Sequence, residues 1–227
     1  MIQVENIETM NFAAAIRGMR NPTNSWAKSD TVDVTGHCNE CKDFGLQCIK
    51  TTHCPVLYNV GTADLGLMRR LVAAGSEHRK FMRQIFVSMD ITAPLYWWKE
   101  FDTYKVGTTA NSCSTMHKLT AKRFTLEDFS TDHIEPECTH VITTVIAALN
   151  EMRDEYLKTN DKGLWYTMVQ LLPSSYNQRR TVTMTYENAF NIIQQRSGHK
   201  LQEWLDFVNI LLGLPYMGDL VTAQKGS

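Results

Sequence analysis

The chain has 227 residues, of which 43% are hydrophobic, and its formal net charge is −1 at neutral pH. This length suits one well-buried domain better than two. Because the basic residues are interspersed rather than clustered, the sequence lacks the electrostatic footprint of a nucleic-acid-binding protein. No apolar run approaches the roughly 18–20 residues of a membrane-spanning helix, and the first residues lack a signal-peptide layout. We therefore expect a single domain over 1–227, located in the cytoplasm, without nucleic-acid or membrane partners.

A Cys-rich loop over 36–55 is the first distinctive segment. Its possible metal ligands are His37, Cys38, Cys41, Cys48, His53 and Cys54. Zinc needs four such ligands, but the spacing from Cys48 to Cys54 is longer than usual for a zinc motif. A cytoplasmic protein also keeps its thiols reduced. The pattern favours free buried thiols over a metal site or a disulfide, and we predict no metal.

The spacing of apolar residues predicts a helix-rich fold with a small sheet. Helices are predicted over 62–75, 94–106, 136–159, 164–171, 186–196 and 199–212, and strands over 82–89 and 178–184. Gly75 and Gly107 are read as stop signals, and Pro94 as a first-turn residue. The predicted fold class is α+β, in one helix-rich domain.

Two separated segments, 94–119 and 171–205, carry more polar groups than a simple core uses. In the predicted helix over 186–196, Phe190 and Ile193 form part of an apolar stripe, while Asn191 and Arg196 fall largely on other faces. A guanidinium offers five donors in a fixed fork, which suits the carbonyl edges of a pyrimidine or a phosphate. An arginine near a helix C-terminus is also common without any ligand.

The order and spacing of several motifs resemble flavin-dependent thymidylate synthases. The matching residues in the C-terminal half are Leu172, Pro173, Thr185, Asn191, Arg196 and the run HKLQEWL over 199–205. Upstream, Glu77 and His78, followed by the β-leaning run 84–88, are similar to the strand that precedes the family's signature. The resemblance covers roughly 60–215, and it implies a helix-rich α+β domain with a small antiparallel sheet.

Three positions depart from the family pattern. Where the family has Arg-His-Arg, the chain has Lys99-Glu100-Phe101, and the downstream Ser-x-Arg becomes Thr109-Ala110-Asn111. The arginine expected four residues before Pro173 is Val169. Each missing cation removes a charge-assisted hydrogen bond of about 1.5–3 kcal/mol to an anionic ligand. The candidate substitutes are Lys105, Lys118, Arg179 and Arg180.

The resemblance implies an activity: reductive methylation of dUMP to dTMP by FAD, with methylenetetrahydrofolate as the one-carbon donor and NADPH as the reductant. It also implies a homotetramer with sites between subunits. Arg196 would be the catalytic residue, polarising the pyrimidine carbonyls. The implied cofactor-binding residues are His78, Lys99, Glu100 and Asn191. The implied substrate-binding residues are Tyr96, Thr109, Asn111, Ser112 and Arg196.

Two alternatives remain open at this point. A diverged relative would modify a different pyrimidine nucleotide, for instance by hydroxymethylation. A non-catalytic nucleotide-binding paralogue would have lost FAD, which the loss of Arg-His-Arg favours. Cys113 has no His–Asp pair at a recognisable spacing, and we expect it to pack or hydrogen-bond rather than to act as a nucleophile. An aromatic cluster is predicted as core or subunit interface rather than as a stacking surface for a ligand. It comprises Tyr96, Trp97, Trp98, Phe101 and Tyr104.

Overall fold

The computed structural model describes residues 2–33 and 58–225, so the predicted Cys-rich loop at 36–55 lies outside the described residues. Two compact units are distinguished by their internal contacts. Within the described residues, the first unit comprises 2–4, 90–103 and 110–181, and the second comprises 5–33, 58–89, 104–109 and 182–225. The single-domain interpretation of the sequence stays a prediction.

The α-helices are the most abundant element among the described residues. They are α1 (Phe12–Arg20), α2 (Thr62–Ala73), α3 (Leu95–Phe101), α4 (Thr115–Lys118), α5 (Thr139–Thr159), α6 (Lys162–Leu171), α7 (Tyr186–Arg196), α8 (Gln202–Leu212) and α9 (Met217–Lys225). The strands are β1 (Gln3–Met10), β2 (Val32–Asp33), β3 (Tyr58–Asn59), β4 (Phe86–Pro94), β5 (Thr108–Ser112) and β6 (Asn177–Thr185).

Four of these strands form an antiparallel sheet in the order β1-β4-β6-β5. The short strands β2 and β3 pair separately and antiparallel, with Val32 opposite Asn59. The predicted fold class, a helix-rich α+β fold with a small antiparallel sheet, is confirmed by this architecture.

The first unit packs an apolar cluster around α5. The buried residues of this cluster are Leu119, Phe124, Phe129, Ile142, Ile146, Leu149 and Met168. The buried Asn150 side chain binds the backbone of the segment around Phe124. Its Oδ1 accepts from the Phe124 N–H at 2.8 Å, and its Nδ2 donates to the Phe124 carbonyl at 2.9 Å. Both ends of this buried amide are therefore paired, as burial of a polar group requires.

A buried carboxylate ties the chain before β2 to α2 in the second unit. Asp64 is fully buried and accepts hydrogen bonds from Arg20 Nε at 2.6 Å, Ser29 Oγ at 2.7 Å and Thr31 Oγ1 at 2.7 Å. The backbone N–H groups of Asp30 and Thr31 add two more. The Arg20 side chain is 5% exposed, so both members of this ion pair are removed from water.

Elements with strong local signals match their predictions. The helix predicted over 186–196 is α7, and Thr185 caps it by accepting from the Asn188 N–H at 3.2 Å. The strand predicted over 178–184 lies within β6. Gly75 follows α2 with a φ of 103°, a left-handed conformation that glycine adopts without strain.

Two predicted elements have wrong boundaries. The helix predicted over 94–106 ends at Phe101, where the Thr103 hydroxyl and N–H both donate to the Glu100 carbonyl and close a turn. The strand predicted over 82–89 is β4, which starts at Phe86 and continues to Pro94. Burial alternates along β4 from Phe86 to Ala93, so its period of two extends beyond the predicted end. Helices α1, α4 and α9 and strands β1, β2, β3 and β5 were not predicted.

Among the described residues, no single helix has the length and apolarity to cross a membrane. Residues 202–212 and 217–224 pass that test only as a pair bent by 105°. No three His, Cys, Asp or Glu side chains within 2–33 and 58–225 are arranged to hold a metal ion.

Candidate functional site

Helix α7, in the second unit, carries Asn191 and Arg196, two of the residues implied by the resemblance. Phe190 and Ile193 on this helix are buried, whereas Asn191 and Arg196 are half-buried. The apolar stripe thus fixes the rotation of α7 and turns both polar side chains towards other faces.

The Arg196 guanidinium is held in one plane by two aromatic side chains. Its Nε donates to the Tyr104 hydroxyl at 2.8 Å. Its central carbon lies 4.4 Å from the centre of the Trp204 ring and 5.7 Å from that of Tyr104. A guanidinium stacked in this way retains its charge, and its plane is held in a fixed orientation. This geometry suits recognition of a carbonyl edge or a phosphate.

Tyr104 is a candidate functional residue that the sequence interpretation missed. Its hydroxyl accepts from Arg196 and donates to Gln195 Oε1 at 3.1 Å. Both partners lie more than 90 residues further along the chain, so no local spacing pointed to them. Of the aromatic cluster predicted as core or interface, Trp97, Trp98 and Phe101 are buried. Tyr104 is half-buried and takes part in a polar network instead.

Asn191 is held by an arginine from another part of the second unit. Arg79 Nη2 donates to Asn191 Oδ1 at 3.1 Å, and Arg79 Nε donates to Glu187 Oε1 at 3.2 Å. Arg83 also pairs with Glu187. Burial alone raises the pKa of Glu187, but hydrogen bonds from Arg83 and Arg79 outweigh it, so this pKa lies below its usual value. Glu187 therefore stays ionised at neutral pH.

His78, one of the predicted cofactor-binding residues, is exposed beside a cleft of about 720 Å³ in the second unit. Lys80 and Arg83 also line this cleft, against one carboxylate, that of Glu77. Its apolar wall is formed by Met19, Pro22, Leu67, Leu71 and Phe81. The volume lies within the range typical of small-molecule sites, and the excess of cations suits an anionic ligand.

The first unit holds the other predicted residues except Thr109, which lies exposed on β5 in the second unit. Helix α3 carries Tyr96, Lys99 and Glu100; Lys99 is exposed, and the other two are half-exposed. Asn111 and Ser112 are exposed on β5. The structure thus brings together Tyr96, Lys99 and Glu100 on one short helix.

Two of the four candidate substitute cations are already paired within the first unit. Arg180 donates to Asp102 at 2.7 Å and lies over the Trp98 ring at 4.1 Å. Arg179 donates to Asp90 at 2.8 Å. Lys105 and Lys118 are exposed. The lysines are therefore the better candidates to replace the missing arginines.

Cys113 is exposed, and its described contacts are made by its backbone. Its N–H donates to the Arg179 carbonyl at 2.9 Å, and its carbonyl accepts from Gln178 Nε2 at 2.9 Å. We expect Cys113→Ser to melt close to the wild-type temperature, because serine preserves both backbone contacts, and to retain most of the activity that the family resemblance implies. A folded variant slowed by about four orders of magnitude would instead indicate covalent catalysis by the thiolate.

Comparison with solved structures identifies the fold class. The fold is that of flavin-dependent thymidylate synthases. The chain is similar to thymidylate synthase X (ThyX) from Helicobacter pylori, crystallised with FAD and dUMP, with a TM-score of 0.67 and 15% identity over 99% of this chain and 98% of that one.

A second similar structure is the UMP/dUMP methylase PolB from Streptomyces cacaoi, bound with 5-Br UMP. Its TM-score is 0.56, with 12% identity over 100% of this chain and 94% of that one. No family model and no curated protein sequence matches the chain. At such low identity these similarities establish the fold alone, and they confirm the family resemblance at that level.

Proposed function

We propose that this protein is a flavin-dependent enzyme that modifies a pyrimidine nucleotide. In its specific form, the proposed reaction is the reductive methylation of dUMP to dTMP with FAD, methylenetetrahydrofolate and NADPH. The observation that carries the proposal is the Arg196 guanidinium, which Tyr104 and Trp204 hold in a fixed orientation. The fold that carries it is shared with proteins that were crystallised with dUMP or 5-Br UMP.

Arg196 would act on the substrate electrostatically. Negative charge develops on the carbonyl oxygens of a uracil ring when its C5–C6 bond is activated for alkylation. A donor that is already oriented stabilises such charge without reorganising during the reaction. Tyr104 and Trp204 supply that orientation, since one bonds Nε and the other supports the guanidinium plane. We propose Tyr96, Thr109, Asn111 and Ser112 as further substrate contacts.

The chemistry of the second unit fits an anionic cofactor. The cleft beside His78 presents two cations against one carboxylate next to an apolar wall, which matches a ligand that combines phosphates with a flat ring. We propose His78, Lys99, Glu100 and Asn191 as the residues that hold FAD. When bound, FAD supplies the redox chemistry, and the protein supplies binding and orientation.

The assembly and the cellular location of the protein are also proposals. A homotetramer with sites between subunits, in the cytoplasm, accompanies the proposed reaction. Light scattering of the purified protein measures the number of subunits, and a monomer that turns over dUMP contradicts the proposed homotetramer.

A non-catalytic nucleotide-binding paralogue is the second candidate function. It is favoured by Phe101, which is 2% exposed in the position of a cofactor-binding cation. A diverged activity such as hydroxymethylation of a pyrimidine nucleotide is the remaining alternative, and product analysis by mass spectrometry distinguishes it from methylation.

The visible absorbance spectrum, recorded with and without added FAD, tests the proposal. We expect the bands of oxidised flavin to remain with the protein after gel filtration, and a calorimetric titration with dUMP to show saturable binding. A protein that retains no flavin but binds dUMP indicates the non-catalytic paralogue. A folded protein that binds neither ligand refutes the proposed function.

A further inference from the structure

Arg79 is a nearly buried arginine that the proposed reaction does not use directly. It is 9% exposed, and its guanidinium carbon lies 4.7 Å from the centre of the Phe190 ring. Its hydrogen bonds go to Glu187 and Asn191. On α7, Phe190 follows Glu187 by three residues and Asn191 follows it by four, so the Arg79 side chain spans adjoining positions on the helix surface around Glu187. Arg79 therefore packs across the face from which Asn191 extends.

The contact with Arg79 determines which way the Asn191 amide points. The oxygen and nitrogen of an amide are usually assigned from their hydrogen-bond partners. Arginine has donors only, so the atom 3.1 Å from Arg79 Nη2 must be the oxygen, Oδ1. The Nδ2 group, with two donors, then faces away from Arg79. Within the described residues, Nδ2 has no hydrogen-bond partner.

We propose that Arg79 is a positioning residue that fixes the Asn191 amide with Nδ2 presented to the ligand, so that this position selects a hydrogen-bond acceptor. The acceptor is a carbonyl oxygen or an unprotonated ring nitrogen, groups found on both a flavin and a pyrimidine. The inference rests on the proposed function, since it assigns the ligand chemistry of the same site.

Glu187 makes this arrangement rigid. Its carboxylate accepts from Arg79 on one oxygen and from Arg83 on both. Because Glu187 also lies on α7, it holds the Arg79 guanidinium in register with Asn191, four residues further along. Rotating the amide by half a turn would place Nδ2 against Arg79 Nη2, donor against donor, and leave the buried cation short of one acceptor.

Calorimetric titrations with FAD and, separately, with dUMP test the inference on four variants: Arg79→Met, Asn191→Ala, the double variant and Asn191→Asp. Arg69→Met is the matched control, because Arg69 is an exposed arginine of the same unit. We expect Arg79→Met to weaken one of the two ligands by about 2- to 13-fold, the range for one hydrogen bond. The ligand that responds is the one that contacts Asn191.

Two results separate positioning from a merely structural role. The double variant should bind as weakly as Asn191→Ala alone, because Arg79 acts only through the amide. Asn191→Asp keeps an acceptor for Arg79 but loses the outward donors, so it should melt like the wild type and bind at least about tenfold more weakly.

Additive losses in the double variant, or wild-type affinity in Asn191→Asp, overturn the inference while the proposed function stands. A folded wild-type protein that binds neither FAD nor dUMP overturns the proposed function and the inference with it. Asn191→Asp keeps the inference falsifiable if Arg79→Met fails to fold.

Discussion

Substituting Arg196 with alanine is expected to lower the affinity for dUMP by at least about 100-fold while the protein stays folded. Two charge-assisted hydrogen bonds from a guanidinium to a carbonyl or phosphate, at about 1.5 kcal/mol each, correspond to roughly that factor. The fold should tolerate the change, since Arg196 is half-buried at the end of α7 and its removal leaves Tyr104 bonded to Gln195. Loss of the Trp204 contact should cost about 0.5–1 kcal/mol of unfolding free energy.

Calorimetric titration of the wild type and the variant with dUMP measures this effect. Arg69→Ala is the control, because Arg69 is an exposed arginine of the same unit, 48% exposed, and pairs with Asp219. Arg196→Lys adds a sharper comparison, since lysine keeps the charge but lacks the planar fork. Wild-type affinity in a folded Arg196→Ala variant would show that the family resemblance has been extended to the wrong residue.

The sequence predicted α7 correctly because its signals are local. Thr185 as a capping residue and the apolar stripe through Phe190 and Ile193 lie within one short stretch, and the rotation of the helix follows from them. The faces on which Asn191 and Arg196 lie were therefore predictable. The start of β4 was not, since residues 80–83 form a 3-10 turn instead of continuing the strand.

The residues that hold Asn191 and Arg196 in place could not be predicted from the sequence, for a physical reason. Arg79 lies 112 residues from Asn191, and Tyr104 lies 92 residues from Arg196. Such pairs form only when the second unit packs, so no periodicity predicts them. The burial of Phe101 was predictable, because helical spacing places it with Trp97 and Trp98 in the aromatic cluster expected as core or interface, and all three side chains are buried.

Substituting Asp64 with asparagine should cost about 3–5 kcal/mol of unfolding free energy, the range for breaking a buried ion pair by removing one partner. The change leaves the Arg20 guanidinium, whose side chain is 5% exposed, without a counter-charge. The substitution also replaces one carboxylate oxygen with an NH2 group, so the hydroxyl donors of Ser29 and Thr31 have one acceptor fewer at this position.

Urea denaturation at neutral pH measures this cost, with Asp219→Asn as the control. Asp219 also pairs with an arginine, but its side chain is 39% exposed, and an exposed pair contributes about 0–1 kcal/mol. Equal losses in the two variants would contradict the assignment of Asp64 as a buried structural carboxylate.

The pH dependence of unfolding provides an independent check on Asp64. Burial by itself raises the pKa of this carboxyl, but hydrogen bonds from Thr31, Ser29 and Arg20 outweigh it and hold the pKa below its ordinary value of 3.8. The unfolded chain therefore takes up the proton first as the pH falls. The stabilisation from Asp64 is complete above the unfolded pKa and is lost as the pH drops through the folded one. Wild-type protein should consequently lose stability below about pH 4 more steeply than Asp64→Asn, which has no carboxyl at this position. Parallel acid denaturation curves for the two proteins would mean that Asp64 has the same pKa in the folded and unfolded states, which is incompatible with its five hydrogen bonds.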